Sequence, residues 1–384
     1  MLKDPIVIVS AVRTPIGSFQ GQFKTLTAVE LGAAAIQGAL QRSKVSPEHI
    51  NEVLMGCVLS AGLGQAPARQ AALQAGLPPA TPCTTVNKMC GSGMKTVMLA
   101  YDSLIARPDQ MLIAGGMESM TQAPYLLPKA RAGYRMGHQT VIDHMLYDGL
   151  EDAYQKGSSM GLFAEECATE YGFTREMQDA YAITSIKRAQ AADFTQEIVP
   201  VLQITQDEGP TKAQLEKIPL LKPAFKAGGT VTAANASSIS DGAAALMLTR
   251  LSIAEQHGLQ PLAVIKAHSS YAAAPAAFPT APISAIRQVL AQVAWSVADV
   301  DLFEINEAFA VVPMAAMQTL QLPADKVNIH GGACVLGHPI GASGARILVT
   351  LVHALHQNQL QRGIAALCIG GGEATAVALE RYPL

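Results

Sequence analysis

Four side chains in this sequence are of types that, taken together, could carry acyl-transfer chemistry. Cys90 stands in VNKMCGSGM, between an extended run and a Gly-rich helix start. Unpaired N–H groups and the helix dipole at such a position favour a thiolate, which predicts a lowered pKa and a nucleophile. Gly91 and Gly93 are expected to leave the sulfur open to a bulky substrate. The alternative for a lone cysteine is a buried small hydrophobe. His338 lies in NIHGGACVLGHPIGASGAR (328–346), held among glycines that cannot cover it, where an imidazole is poised to move a proton. Cys368 ends the apolar run ALCIGGGEA, and Asn306 follows the strand-like FEI in FEINEAFAV. For Asn306 a helix cap is an equal reading. A nucleophile, a base, an amide donor and a second thiol acid/base meeting at strand ends would suffice for the chemistry.

CGSGMKT lacks the Gly-Lys-Ser/Thr ending of a phosphate loop, and Thr96 stands where a dinucleotide pattern needs its third glycine. His330 reads as structural. His353 and His356 are three apart with no third ligand near, so no metal site is expected. The six cysteines contain no Cys-x-x-Cys pair and are too sparse for a disulfide scaffold, so free thiols are expected.

The elements that must position these residues come in duplicate. Residues 86–119 run from a Gly-rich turn through an apolar-periodic helix to a buried strand at 111–114, and 341–374 do the same. PIVIVSAVRTPIG (5–17) matches PLAVIKAHSSYAA (261–273) as a Val/Ile strand entering a polar loop. The second half then closes at once with TAVALERY (375–382), whereas the first reaches AAALMLTR (243–250) after about 120 residues. The organisation expected is therefore a first core half over 1–119, completed by 241–260, an insertion over 120–240, and a second half over 261–384. The insertion holds a Pro/Gly/Arg-rich loop (123–138), one helical stretch (165–193) and a polar linker around 203–217. Placed beside strand ends, such an insertion commonly forms a substrate surface.

VNKMCGSGM, GGMESM, NEAFA, GGACVLGHPIGASGAR and CIGGG, in this order, resemble the signatures of the thiolase family from about residue 5 to 382. The resemblance implies an α/β fold with a duplicated, layered α/β/α/β/α core and an inserted loop domain. It implies an acetyl-CoA C-acetyltransferase that condenses two acetyl-CoA to acetoacetyl-CoA and reverses this by thiolysis. Cys90 would attack, His338 would take its proton, and Cys368 would move the α-proton. Asn306, through a water, and His338 would stabilise an enolate, while the N–H groups of Cys90 and Gly370 would hold the thioester oxyanion. For coenzyme A the resemblance points to Ser237, Met160, Phe225, Ala308, Phe309 and Leu150. It implies no tightly bound cofactor, acetyl-CoA, acetoacetyl-CoA and coenzyme A as partners, and a homo-oligomer, dimer or tetramer, joined around 123–140. FPTAP (278–282) with Ala233, Ala234 and Ala236 resembles a potassium-responsive branch, although no Tyr stands near Gly209. The sequence departs from the pattern at Ser159, where a His is common, and at Glu373-Ala374. Lys212 is a candidate for facing the nucleotide.

Composition narrows the alternatives. A chain of 384 residues that is 49% hydrophobic and 15% charged, with net charge −3, is neither disordered nor built to coat nucleic acid. No run of roughly 18 apolar residues suggests a membrane span, and the start lacks a signal or transit pattern, so a cytoplasmic protein is expected. Three other readings are a 3-ketoacyl-CoA thiolase of broader chain length, a decarboxylating ketoacyl synthase of the same broad fold, and a catalytically silent acyl-CoA or lipid carrier. A synthase would lack the second cysteine, and a silent carrier would have no call to keep all four groups.

Overall fold

The computed structural model describes residues 3–383; residues 1, 2 and 384, at the outer ends of the two expected halves, lie outside them. The chain begins with strand β1 (Ile6–Arg13), a short β2 (Gly17–Ser18) and helix α1 (Ala28–Ser43). Thr27 and Glu30 close a reciprocal capping box at the start of α1, which satisfies two otherwise orphaned donors. There follow β3 (Glu52–Gly56), α2 (Pro67–Gln74), β4 (Cys83–Val86), α3 (Ser92–Ala106) and β5 (Met111–Ser119). The next stretch carries β6 (Tyr125–Leu126), β7 (Ile142–Asp143), α4 (Met160–Tyr171), α5 (Arg175–Ala191) and α6 (Glu208–Lys212). The chain then returns with β8 (Ser240–Arg250), α7 (Leu251–Gln256), β9 (Ala263–Ala272), α8 (Ala281–Val293) and β10 (Leu302–Ile305). It ends with α9 (Val311–Leu320), α10 (Ala333–Leu336), α11 (Ser343–Gln357), β11 (Arg362–Ile369) and β12 (Glu373–Arg381).

Sheet order makes the duplication visible. The large sheet runs β4-β3-β5-β8-β1 and continues β9-β12-β11-β10. In the first half β3 is parallel to β4 and β5, while β8 lies antiparallel between β5 and β1. In the second, β10 is parallel to β11, while β12 lies antiparallel between β11 and β9. A single parallel bridge from Phe303 to Val327 stands where β4 stands in the first half. Within the sheet the halves pair at Val7↔Val264 and Ile8↔Ala263, where the pseudo-twofold passes.

Three hydrophobic layers follow. Helices α1 and α2 cover one outer face, α8 and α9 the other, and α3 and α11 share the middle. Helix α11 is buried nearly all round, with Ile347, Leu348, Val349, Leu351 and Val352 fully covered, as a helix sandwiched between two sheet surfaces must be. The Ser-Gly pair that opens each central helix has a packing reason. A Cβ on Gly93 would stand 2.8 Å from the Ala345 backbone N, and one on Gly344 2.4 Å from that of Met94. The two helix N-termini therefore cross at a distance only glycine allows.

Several sequence readings are corrected. The strand expected at 111–114 continues through Gly115 and Gly116 to Ser119, because both glycines face backbone, that of Ala244 and of Gly341. The helical stretch 165–193 is two helices, broken where Gly172 takes a left-handed conformation (φ 70°) as the cap of α4. The polar linker at 203–217 contains α6, and the closing strand of the first half begins at Ser240, three residues earlier than its apolar run.

Candidate active site

Cys90 sits in the turn between β4 and α3. Met89, just before it, has φ 47°, a left-handed conformation uncommon for a residue with a Cβ. Ser92 fixes that turn, since its Oγ accepts from Lys88 N at 2.8 Å and donates to Met89 O at 2.6 Å. The glycines also serve packing: a Cβ on Gly91 would strike the Ile369 side chain at 2.4 Å. The expected lowering of the Cys90 pKa is overturned. Burial pushes the thiol up to about 11, against the opposing pull of the Gly370 and Cys90 N–H groups on the sulfur. Desolvation here outweighs the helix terminus.

Those same two N–H groups tie the halves together at the sulfur. Gly370 follows β11, whose penultimate residue is Cys368, 1% exposed. Burial, with the charge of Cys90 next in weight, pushes the Cys368 thiol well above the ordinary range. The two thiols thus lie near enough for the charge of one to bear on the other. Lys88, beside the nucleophile turn, pairs with Glu373, the departure noted after CIGGG.

His338 is 5% exposed, and its backbone N donates to Ser238 O at 3.1 Å. Its Nδ1 lies 2.6 Å from Ser343 Oγ, which itself donates to Pro339 O at 3.0 Å. With the hydroxyl proton so committed, Oγ accepts and Nδ1 carries the hydrogen, leaving Nε2 as the basic nitrogen. Nε2 has no partner among the described residues. Burial, helped by the charge of Arg346, pushes the imidazole down to about 3 and keeps it neutral. The resting pair is therefore a thiol and an imidazole.

Asn306 is not a helix cap: its N donates to Ala366 O at 3.0 Å, extending the β10–β11 ladder by one rung, and α9 starts only at Val311. It is 1% exposed, and its Nδ2 has no partner among the described residues. Two buried polar atoms without partners, Asn306 Nδ2 and His338 Nε2, mark a place built to receive a ligand or water.

The residues expected to hold coenzyme A are linked in space. Ser237 N donates to Ala308 O at 2.9 Å, and Ala236 bridges Phe309. The Phe309 ring lies 5.9 Å from that of Phe225, which in turn rests where a Cβ on Gly161 would be. Met160 Sδ lies 3.4 Å from where a Cβ on Gly370 would stand. Leu150 packs in a small cluster with Cys90, Met89, Met145 and Ile340. Lys212 is committed elsewhere, in an ion pair with Glu208. Of the histidines read as unlikely ligands, His353 and His356 bond Ala11 O and Leu262 O, and His330 stacks edge-on to Phe194.

Sequence reasoning missed the groups that hold the site. Glu118, fully buried at the end of β5, accepts from Val58 N at 3.0 Å, Leu59 N at 3.1 Å and Gly341 N at 2.9 Å. It fastens the His338 loop to the first half, and burial still pushes its carboxyl up to about 7. Glu307 accepts from Tyr181, Ser185, Asn328 and Cys334 N, holding the Asn306 turn to α5. An acid inside an otherwise apolar run, as in AGGMES and LFEINEAF, was the available signal.

Such a duplicated five-layer core, with thiols from both halves meeting at its centre, can be compared with known proteins. The family described as "Thiolase, N-terminal domain" matches residues 6–252, and "Thiolase, C-terminal domain" matches 259–381. An acetyl-CoA acetyltransferase of Cupriavidus necator is 47% identical over 98% of this chain and 99% of its own. A probable acetyl-CoA acyltransferase of Staphylococcus aureus is 44% identical over the same shares. The crystal structure of a thiolase from Ascaris suum in complex with coenzyme A superposes with a TM-score of 0.94 at 41% identity, covering 98% of this chain and all of that one. The chain belongs to the thiolase family.

Proposed function

We propose that this chain is an acetyl-CoA C-acetyltransferase, joining two acetyl-CoA into acetoacetyl-CoA and coenzyme A and cleaving acetoacetyl-CoA in reverse. The observation that carries the reading is the closeness of Cys90 and Cys368, near enough for the charge of one to bear on the other, with the Gly370 N–H on the Cys90 sulfur. Cys90 adds to the thioester carbonyl while His338 Nε2 takes its proton, a transfer that a neutral imidazole with a free Nε2 permits. The oxyanion forms on carbon bonded to this sulfur, within reach of the two N–H groups already directed at it. Departing coenzyme A thiolate takes a proton from Cys368, leaving acetyl-Cys90, imidazolium and a Cys368 thiolate. That thiolate removes a methyl proton from the second acetyl-CoA, and the enolate oxygen receives hydrogen bonds from His338 Nε2–H and, through a water, from Asn306 Nδ2. The enolate carbon attacks acetyl-Cys90, and the released Cys90 thiolate recovers its proton from His338. Each thiol and the imidazole end as they began.

Phe225, Phe309, Met160, Ser237, Ala308 and Leu150 are assigned to the coenzyme A carrier. A short acyl preference is supported by Met89, Met145, Leu150 and Ile340 crowding Cys90. The exposed Tyr125, Leu127, Tyr134 and Met136 support self-association through the 123–140 region, as dimer or tetramer, which light scattering tests. The same reading carries a cytoplasmic location and a place in fatty-acid metabolism. Thiolysis assayed with acetoacetyl-CoA and with a long-chain 3-ketoacyl-CoA tests the substrate: the first is expected to be strongly preferred. Preference for the long chain would make the enzyme a general 3-ketoacyl-CoA thiolase, and no turnover of either would leave a silent carrier.

A further inference from the structure

We infer that Arg346 is the positioning residue that fixes which end of the Asn306 amide faces the reacting enolate. The inference rests on the role proposed above for Asn306. Arg346 Nη2 lies 3.4 Å from Asn306 Oδ1, while Asn306 Nδ2 has no partner among the described residues. An amide can turn over with almost no change of shape, and only its neighbours decide its orientation. A guanidinium has donors and no acceptor. It therefore holds Oδ1 and leaves Nδ2 to donate to the water that bridges to the enolate, whereas a flipped amide would set donor against donor at Arg346 and offer that water no donor.

The geometry arises from two simple periodicities. Glu304 and Asn306 are two apart at the end of β10, so the pleat points them to the same side. Glu304 Oε2 lies 3.7 Å from Arg346 Nη1 and steadies the cation between the two residues. On α11, Ser343 and Arg346 are three apart and share a face. One helical turn thus sets both assigned enolate donors, His338 through Ser343 and Asn306 through Arg346. Stability gives no reason for the arrangement. Arg346 and Glu304 are 2% and 3% exposed, and a buried ion pair is rarely more stabilising than apolar side chains of the same size. Arg346 Nε and Nη1 also lack hydrogen-bond partners, so the network is incomplete as a structural device.

The test removes both charges together, Arg346→Met with Glu304→Gln, so that no lone charge stays buried. Two readouts separate positioning from a general loss of structure: radiolabelled acetyl on Cys90, and deuterium exchange into the methyl of acetyl-CoA in deuterated buffer. Exchange and condensation are expected to fall about 100-fold, the size of one lost oxyanion donor. Cys90 labelling and the KM for acetyl-CoA should stay within about threefold, since neither uses the Asn306 amide. In an Asn306→Ala background the double change should cost no more than about a further threefold, because the amide it orients is gone. Equal loss of labelling and exchange, or full multiplication of the two defects, would overturn the inference. Should the double variant not fold, Arg346→Gln with Glu304→Gln, which offers the Asn306 amide a donor and an acceptor alike and so no longer fixes its orientation, is read by the same two assays: exchange reduced with labelling intact supports the inference, and equal loss of both rejects it. Absence of labelling or exchange in the wild type would instead refute the reaction assigned to the site.

Discussion

Replacing Gly344 with Ala puts a methyl group in place of one hydrogen at the second residue of α11, and the structure says what that carbon meets. It would stand 2.4 Å from Met94 N, 2.7 Å from Met94 Cβ and 3.1 Å from Met94 Cα. Non-bonded carbon contacts settle near 3.5 Å, so α3 and α11 must part by about 1 Å. The obstacle is largely backbone and cannot swing aside. Two energetic effects oppose each other: alanine gains up to about 1 kcal/mol over glycine inside a helix, while overpacking a core costs about 1–3 kcal/mol. The fold is expected to survive with a melting temperature lower by a few degrees. The site is expected to fare worse. Helix α3 carries the Cys90 turn, and α11 carries Ser343 and Arg346, so the added carbon pushes the nucleophile from its base, and a misplacement of about 1 Å costs on the order of 100-fold. The measurement is kcat for acetoacetyl-CoA thiolysis beside a circular-dichroism melt. Gly32→Ala on α1 is the control, because the carbon there meets chiefly the mobile Met117 Sδ at 2.3 Å. Gly344→Ala turning over at the wild-type rate, or Gly32→Ala losing as much, would refute the argument.

His338→Ala should lower condensation by about 10²–10⁴ with an unchanged far-ultraviolet spectrum, and a folded variant keeping a tenth of wild-type turnover would contradict the base assignment. Cys368→Ala should still accept radiolabelled acetyl on Cys90 yet lose deuterium exchange into the acetyl methyl; wild-type exchange would show the base to be elsewhere. Because His338 is held down to about 3 against an ordinary 6.5, the unfolded chain binds a proton that the folded one refuses between those values. Stability should thus fall as pH drops from 6.5 toward 3, and His338→Asn should flatten that slope in urea titrations at each pH; an unchanged slope would show that His338 does not titrate this way. Gly161→Ala drives a carbon into the Phe225 ring at 2.2–2.4 Å, so KM for coenzyme A in thiolysis should rise several-fold with kcat nearly kept, and an unaltered KM would remove Phe225 from the carrier site.

What the sequence disclosed and what it hid divide along a physical line. The repeat was legible because helix–turn–strand units have a period that survives divergence, and because Ser92-Gly93 and Ser343-Gly344 must stay small where the helices cross. The reacting groups were legible because a thiol, an imidazole and an amide among glycines have few other uses. The sign of the Cys90 shift was not, since it depends on the balance of two opposing effects, a helix terminus and desolvation, and only the fold reveals that β11 and the Leu150 cluster enclose the sulfur. Partners were equally hidden. Ser343 and Arg346 stood inside the motif that named His338, and Glu118 inside GGMES, yet a hydrogen bond such as Glu118 to Gly341 spans 223 residues of sequence and leaves no local pattern.

The division has a chemical logic. Groups that react must be exposed to substrate at one atom and so are left without a partner there, as Asn306 Nδ2 and His338 Nε2 are. Each then needs its other atom held, Oδ1 by Arg346 and Nδ1 by Ser343, or the orphaned atom would turn to the nearest neighbour that satisfies it. Both holders come from the first turn of α11, whose place is set by the glycine crossing with α3, and α3 begins two residues after Cys90. Nucleophile, base and amide donor are therefore registered to one another through two crossing helix starts, which is why a single carbon at Gly344 should disable a reaction in which Gly344 takes no part.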